Sequence, residues 1–391
     1  MPHGTILDPV FKTPDSQEID YYWHGGDSAI WTGHYLAAEA FRYRVTRTPE
    51  ALDNVRNALA GLRLLVDVTG SNVLARCAFP IGSPYAGKII QEEQRHGIHT
   101  RTLNGVQYYW IGNTSRDQYS GVFFGLGVAY DMVDDAQVRV EISALVTRLL
   151  DFLVARSWFV FMPDGSISTT FAGRPEQRLS FLQVGRHVNP VRFDSRYQDH
   201  RNQNFDLITV TMGLDVLEDH DSYFKFNLDT INLYNLIRLE TNAFYRDSYL
   251  GAYEVMRRTT DDHGNAHFNA IDTALRGLSN DRDAETRVML DEWLLRPRRD
   301  NFLDWRGDPR YPACGSDRAC SPIPIVDRIR TDFLWQRSPF LLFGGGTGKV
   351  EMTGIDYILP YWMSRYYGVI KGAWSIPFRP QRPPSQGISF N

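Results

Sequence analysis

The chain has 391 residues, 43% of them hydrophobic and 23% charged, which is the balance of a globular protein with a large core. The formal charge of -4, with no basic block, excludes a nucleic-acid partner, and no run of about 18 apolar residues offers a membrane span. Nine Trp, 20 Tyr and 22 Phe provide rings for stacking on sugars beyond those a core consumes.

In chain order, residues 1–26 read as an extended arm ending in Tyr21-Tyr22-Trp23-His24-Gly25-Gly26. Asp27 or Ser28 then caps a helix through Ile30, Leu36 and Phe41 that stops near Thr46. Thr48-Pro49-Glu50 opens a second helix, in which Leu52, Val55, Leu59, Leu62 and Val66 recur at helical spacing up to Gly70. A long connection over 71–116 follows, with strand-like pieces at Lys88-Ile89-Ile90 and from Gly105 to Ile111.

A second hairpin spans 117–133 and 136–157. Its first helix carries Gly121, Gly125 and Gly127, each about 1 kcal/mol worse than alanine in a helix interior, so the sequence predicts that other helices pass very close. After a connection over 158–200, residues 204–217 and 223–239 read as a third hairpin, and 244–258, 266–278 and 283–295 as helices without evident pairing. A long loop over 296–351 holds Trp305, Cys314, Cys320, Trp335 and Arg337. A last helix over 354–369 is kinked by Pro360, and 371–391 is a Pro-rich tail, so that 27–370 stands as a single domain.

Cys314 and Cys320 enclose five residues, a spacing that suits a local disulfide better than zinc, while Cys77 stands alone. A disulfide favours a periplasmic or secreted protein whose signal peptide has been removed, since Met1-Pro2-His3-Gly4 does not begin one; otherwise the chain is cytoplasmic. The run Gly344 to Lys349 lacks the spacing of a phosphate loop, and Asp131 to Asp135 falls at a helix C-terminus, where the dipole opposes a metal-bound diphosphate. Nothing in the pattern calls for a cofactor or a metal, and the oligomeric state is not encoded in it.

Chemistry concentrates where long connections meet helix starts. Trp23, His24 and Asp27 stand before the first helix, and Arg116, Asp117 and Tyr119 open the third. His200 and Arg201 precede the third hairpin, and Asp356 opens the last helix. Helix N-termini present free N–H groups, and carboxylates beside histidines, arginines and rings suit acid/base work on a polyhydroxylated substrate. Capping alone accounts for one such residue at each start but not for the run from Asn113 to Tyr119. Glu92, Glu93, Arg95, His96 and His99 form a charged patch in a loop that would arch over such a cavity.

Short turns within hairpins and long connections between them, with glycine-rich first helices and amphipathic second helices, resemble the all-α (α/α) toroid of six-hairpin carbohydrate-active enzymes, with short β pieces on one rim. The resemblance is to an architecture and covers about residues 20–370. It implies a saccharide-binding cleft and a glycoside hydrolase in which Asp117 and either Asp27 or Asp356 are the catalytic carboxylates. Trp23, Trp110 and Trp335 would stack on rings, His24, His200 and Tyr119 would orient hydroxyls, and Arg116 and Arg337 would grip an acidic group. The alternatives are a polysaccharide lyase with Tyr119, His24 or His200 as base, and a non-catalytic glycan-binding protein.

Overall fold

A computed structural model describes residues 2–217, 223–331 and 333–372. The chain begins with β1 (Asp8–Phe11), β2 (Ile19–Trp23), α1 (Ser28–Thr46) and α2 (Pro49–Asp67). Then come β3 (Cys77–Pro80), α3 (Ala86–Glu93), β4 (Ile98–Leu103), β5 (Val106–Ile111), α4 (Arg116–Met132) and α5 (Ala136–Ala155). The middle holds β6 (Phe159–Phe161), β7 (Ile167–Thr170), α6 (Pro175–Val188), α7 (Pro190–Asn204), α8 (Leu207–Leu217) and α9 (Phe224–Leu239). The last third is α10 (Ala243–Thr260), α11 (Ala266–Arg276), α12 (Asn280–Leu294), β8 (Arg299–Asp304), β9 (Phe343–Glu351) and α13 (Ile355–Tyr366).

The expectation of an all-α toroid is corrected by this inventory. Among the described residues the strands form three antiparallel sheets, ordered β2-β1-β9-β8, β3-β5-β4 and β6-β7, so the fold is mixed. The physical reason lies in the connections: the runs expected to be loops contain hydrophobic stretches that pair with one another, such as Cys77 opposite Ile111 and Phe79 opposite Tyr109. Four strands also lead directly into helices, β2 into α1, β5 into α4, β7 into α6 and β9 into α13. The sheets therefore gather beside the helix N-termini.

Other boundaries moved as well. Lys88-Ile89-Ile90 lies in α3, not in a strand, and the connection over 158–200 contains α6 and most of α7. Helix α6 escapes apolar periodicity because Gln177, Ser180 and Gln183 are buried along it. Helix α8 packs chiefly on α10, so α8 and α9 are not the expected hairpin. The Gly344 to Lys349 run belongs to β9, and the tail lies outside the described residues from 373 onward. Cys314 and Cys320 form a disulfide, and Cys77 is a buried free thiol, its pKa pushed up to about 12 by burial. No helix among the described residues is long and apolar enough to cross a membrane.

The contact that positions the site is between α1 and α4. Ile30 lies against Gln118 and Gly121, and Gly33 against Gly121 and Gly125, so the two helices run in the same direction with their N-termini side by side. A Cβ on Gly33 would stand 2.0 Å from the Gly121 carbonyl oxygen, and one on Gly125 would stand 2.2 Å from the Gly33 oxygen. Close packing is thus what the helix-interior glycines are for. Helix α9 joins from the other side of α4 in the same sense, Asn232 donating to Ser120 Oγ (3.1 Å) and Asn235 to the Phe123 carbonyl (3.4 Å).

Gly33→Ala should lower stability by about 1–3 kcal/mol through overpacking, although alanine by itself favours a helix by about 1 kcal/mol. Gly251→Ala, in α10 where a Cβ meets open space, should instead raise stability by up to about 1 kcal/mol. Urea unfolding of both variants reads the two signs.

Candidate functional site

The paired N-termini of α1 and α4 bring Asp27 and Asp117 together. Between them sits the fully buried amide of Gln118, whose Oε1 accepts the Ile30 N–H at 3.0 Å. Its Nε2 donates to Asp27 Oδ1 at 3.0 Å and to Asp117 Oδ2 at 3.4 Å. One N–H group of α1 that would otherwise be orphaned is therefore satisfied from α4. Asp27, although it stands at the N-cap position, makes no capping bond with its side chain, which is turned to the shared amide.

Arg76 holds the other side of this pair. Its Nε donates to the Asn113 carbonyl (2.9 Å), Nη1 to the Gly26 carbonyl (2.7 Å) and Nη2 to Ser115 Oγ (2.6 Å), with Asp27 Oδ1 at 3.6 Å from Nη1. Ser115 in turn donates to Asp117 Oδ1 and makes no capping bond, so the residue at the α4 N-cap position orients a carboxylate. Asn113 holds a left-handed backbone at φ 47°, a turn that delivers the chain from β5 to Ser115.

A second layer comes from the loop after α2. Glu93, the last residue of α3, accepts the Gly26 N–H (2.8 Å) and a hydrogen bond from His96 Nδ1 (2.6 Å). A Cβ at position 26 would lie 2.8 Å from Glu93 Oε2, so a side chain there would make the Glu93 carboxylate shift. Burial pushes the Glu93 pKa up, but the hydrogen bonds from His96 and Gly26 outweigh it and hold the group below its ordinary value. On the far side, His24 takes a left-handed backbone at φ 59°, contacts Asp8 Oδ2 through Nδ1 at 2.5 Å and stacks under Trp23 at 3.9 Å between ring centres.

The structure does not bring every expected residue here. Arg116 does stand at this place, exposed at the first position of α4 beside Asp117, while Arg337 is exposed just past the 3-10 turn Leu334–Gln336. Tyr119 is fully buried, its hydroxyl accepting the Leu74 N–H at 3.2 Å, so it is a core residue and not an accessible base. Trp110 is buried against His99, and Trp335 is buried with its indole N–H on the Asp356 carbonyl, so neither offers a platform to a sugar. His200 lies inside α7, edge-on to Trp158 at 5.8 Å, and not before a helix start. Asp356 is 1% exposed, with Oδ2 accepting the Leu334 N–H at 3.3 Å, which removes it from the pair.

Sequence reasoning missed Arg76 and the bridging role of Gln118. The available signal for Arg76 was a lone cation in the apolar run Leu74 to Phe79, which a buried chain tolerates only when the charge is partnered. Also missed is a cluster at the start of α6. Arg174 donates from Nε to Glu176 (2.7 Å), from Nη2 to Asp215 (2.7 Å) and to Asp229 (3.2 Å). Three carboxylates around one guanidinium cannot all stay ionised, and burial, with Asp215 adding repulsion, drives the Asp229 pKa well above its ordinary value.

No group of three or more His, Cys, Asp or Glu side chains that could hold a metal ion occurs among the described residues. Neither a protein-family model nor a curated protein matches this chain.

The pH dependence of the Glu93 bonds has a definite sign. A depressed carboxyl pKa contributes stability that is fully present above 4.5, the ordinary value, and is lost as the pH falls through the lower folded value. Glu93→Gln should therefore be less stable than wild type at neutral pH by about 1–3 kcal/mol, with a shallower fall toward acid. Thermal melting across pH 2 to 7 tests this, and parallel curves would refute it.

Proposed function

We propose that this protein is a carbohydrate-active enzyme, a glycoside hydrolase in which Asp27 and Asp117 are the two working carboxylates. The observation that carries the reading is the single Gln118 Nε2 donating to both, at 3.0 and 3.4 Å, at the adjoining N-termini of α1 and α4. Glycosidic cleavage needs a carboxylic acid to protonate the leaving oxygen and a carboxylate to attack or to activate water. A pair held by one amide meets the first requirement of such chemistry, which is fixed mutual placement.

Asp117 accepts from Ser115 Oγ and from Gln118 Nε2. Asp27, with 34% of its side chain exposed, accepts from the same Nε2 and lies beside Arg76, so donors hold both acids and the two catalytic roles are assigned to them as a pair. Trp23, half-buried and stacked on His24, is the ring nearest in sequence to Asp27 that could flank a sugar.

A polysaccharide lyase is the second reading, and the Asp8–His24 contact at 2.5 Å favours it, because a carboxylate on Nδ1 orients an imidazole to take a proton through Nε2. Tyr119 and His200 drop out as bases on their placement.

Asp27→Asn and Asp117→Asn should each reduce turnover of a glycan panel by at least about 100-fold while melting normally. Reducing ends released without ultraviolet absorption mark hydrolysis. An unsaturated product that disappears in His24→Ala marks the lyase, and full activity in Asp117→Asn removes the pair from either mechanism.

A further inference from the structure

Beside the α1–α2 hairpin, apart from the carboxylate pair, lies a surface cavity of about 610 Å³ lined by His3, Tyr35, Asn54, Asn57, Ala60 and Leu64. Helical spacing places the α2 residues: Asn54, Asn57, Gly61 and Leu64 recur every three or four positions, in a stripe beside the buried one of Val55, Leu59, Leu62 and Val66. Tyr35 stands two residues past Gly33, about 200° around α1, and so on the side away from α4.

The far wall is the N-terminal turn. His3 (φ 56°) and Gly4 (φ 78°) are both left-handed and carry the chain back over α2. The approach is so close that a Cβ on Gly61 would stand 2.1 Å from the Gly4 carbonyl oxygen. Two residues later the segment is fastened to α1, the Ile6 N–H donating to the buried Thr32 Oγ1 at 2.9 Å.

Every side chain in this lining is uncharged at neutral pH. Desolvation lowers the His3 pKa, which keeps the ring neutral at pH 7. Glu39 lies behind Asn54, accepting its Nδ2 at 3.2 Å, and is paired with Arg42 at 3.2 Å. The charged side chains of α2 are engaged elsewhere, Glu50 with Arg42, Arg56 with Asp135 and Arg63 with Glu141. An ionic ligand would therefore find no free counter-charge. An amide sets a donor beside an acceptor, which matches vicinal hydroxyls that each donate and accept, and a tyrosine with a leucine gives a sugar ring an apolar surface. The size is that of a small-molecule site.

We propose that this cavity is a non-catalytic binding site for a neutral sugar unit of a glycan chain, with Asn54 and Asn57 on its hydroxyls and Tyr35 and Leu64 against its ring. The ligand class follows from the lining and not from the reading of the Asp27/Asp117 pair.

The test is calorimetric titration of the full chain, in wild type and in Asp117→Asn to stop turnover, with cellohexaose, xylohexaose and maltohexaose, and with a galacturonate hexamer and a neutral hexapeptide as contrasts. At least one neutral hexaose should bind with a Kd of about 1 mM or lower. Asn57→Ala and Ala60→Trp, both on the exposed face of α2 and compatible with a helix, should each weaken that binding at least about tenfold and leave kcat unchanged. No neutral hexaose bound at that level, affinity indifferent to both substitutions, or equal binding of the galacturonate hexamer or the peptide overturns the site. Binding that depends on Asn57 with no glycan turned over ends the reading of the carboxylate pair alone, whereas turnover with binding indifferent to Asn57 ends this inference alone.

Discussion

The structure depends on how closely α1 and α4 approach. Backbone-to-backbone contact at Gly33, Gly121 and Gly125 sets two helix starts side by side, and every polar feature of the site follows from that spacing. A side chain at any of the three would push the helices apart, and Gln118 could no longer reach both Asp27 and the Ile30 N–H. Packing in the apolar interior thus fixes the relative position of two carboxylates that lie 90 positions apart in the chain.

Rigidity at this place is built by substitution of partners. The usual cap donors and acceptors of both helices are released from capping: Gln118 serves α1, while Ser115 and Asp27 face the site. Arg76 then ties the Gly26 segment and the Asn113 to Ser115 link to its own strand with one guanidinium, so three pieces of chain share a single anchor. Shells of this kind fix the placement of a pair of side chains because each group is held by a neighbour that is itself held.

Much of this was legible in the residues. The helix-interior glycines announced a close crossing, Asn113 to Tyr119 announced more than a cap, and the spacing of Cys314 and Cys320 announced their bond. What failed had physical causes. Tyr119 follows the polar run in sequence but points into the core on a helix that is buried nearly all round, and Trp110 and Trp335 are aromatic for packing. The sheets were underestimated because their strands are short and pair across long separations, as Val10 does with Val350, a contact no local pattern encodes. Helix α6 was hidden by the polar side chains it buries.

That same β1–β9 pairing carries a temporal consequence. Strand β1 supplies Asp8, the partner of His24, and Arg299 near β9 packs over Phe11 at 3.5 Å and donates to the Ser16 carbonyl. During synthesis from the N-terminus, residues 8 to 16 wait for a strand made about 340 positions later before their sheet is complete. Non-local closure of this sort is slow, so the segment that carries Asp8, and with it the partner of His24, is not fixed in its sheet until β9 has emerged.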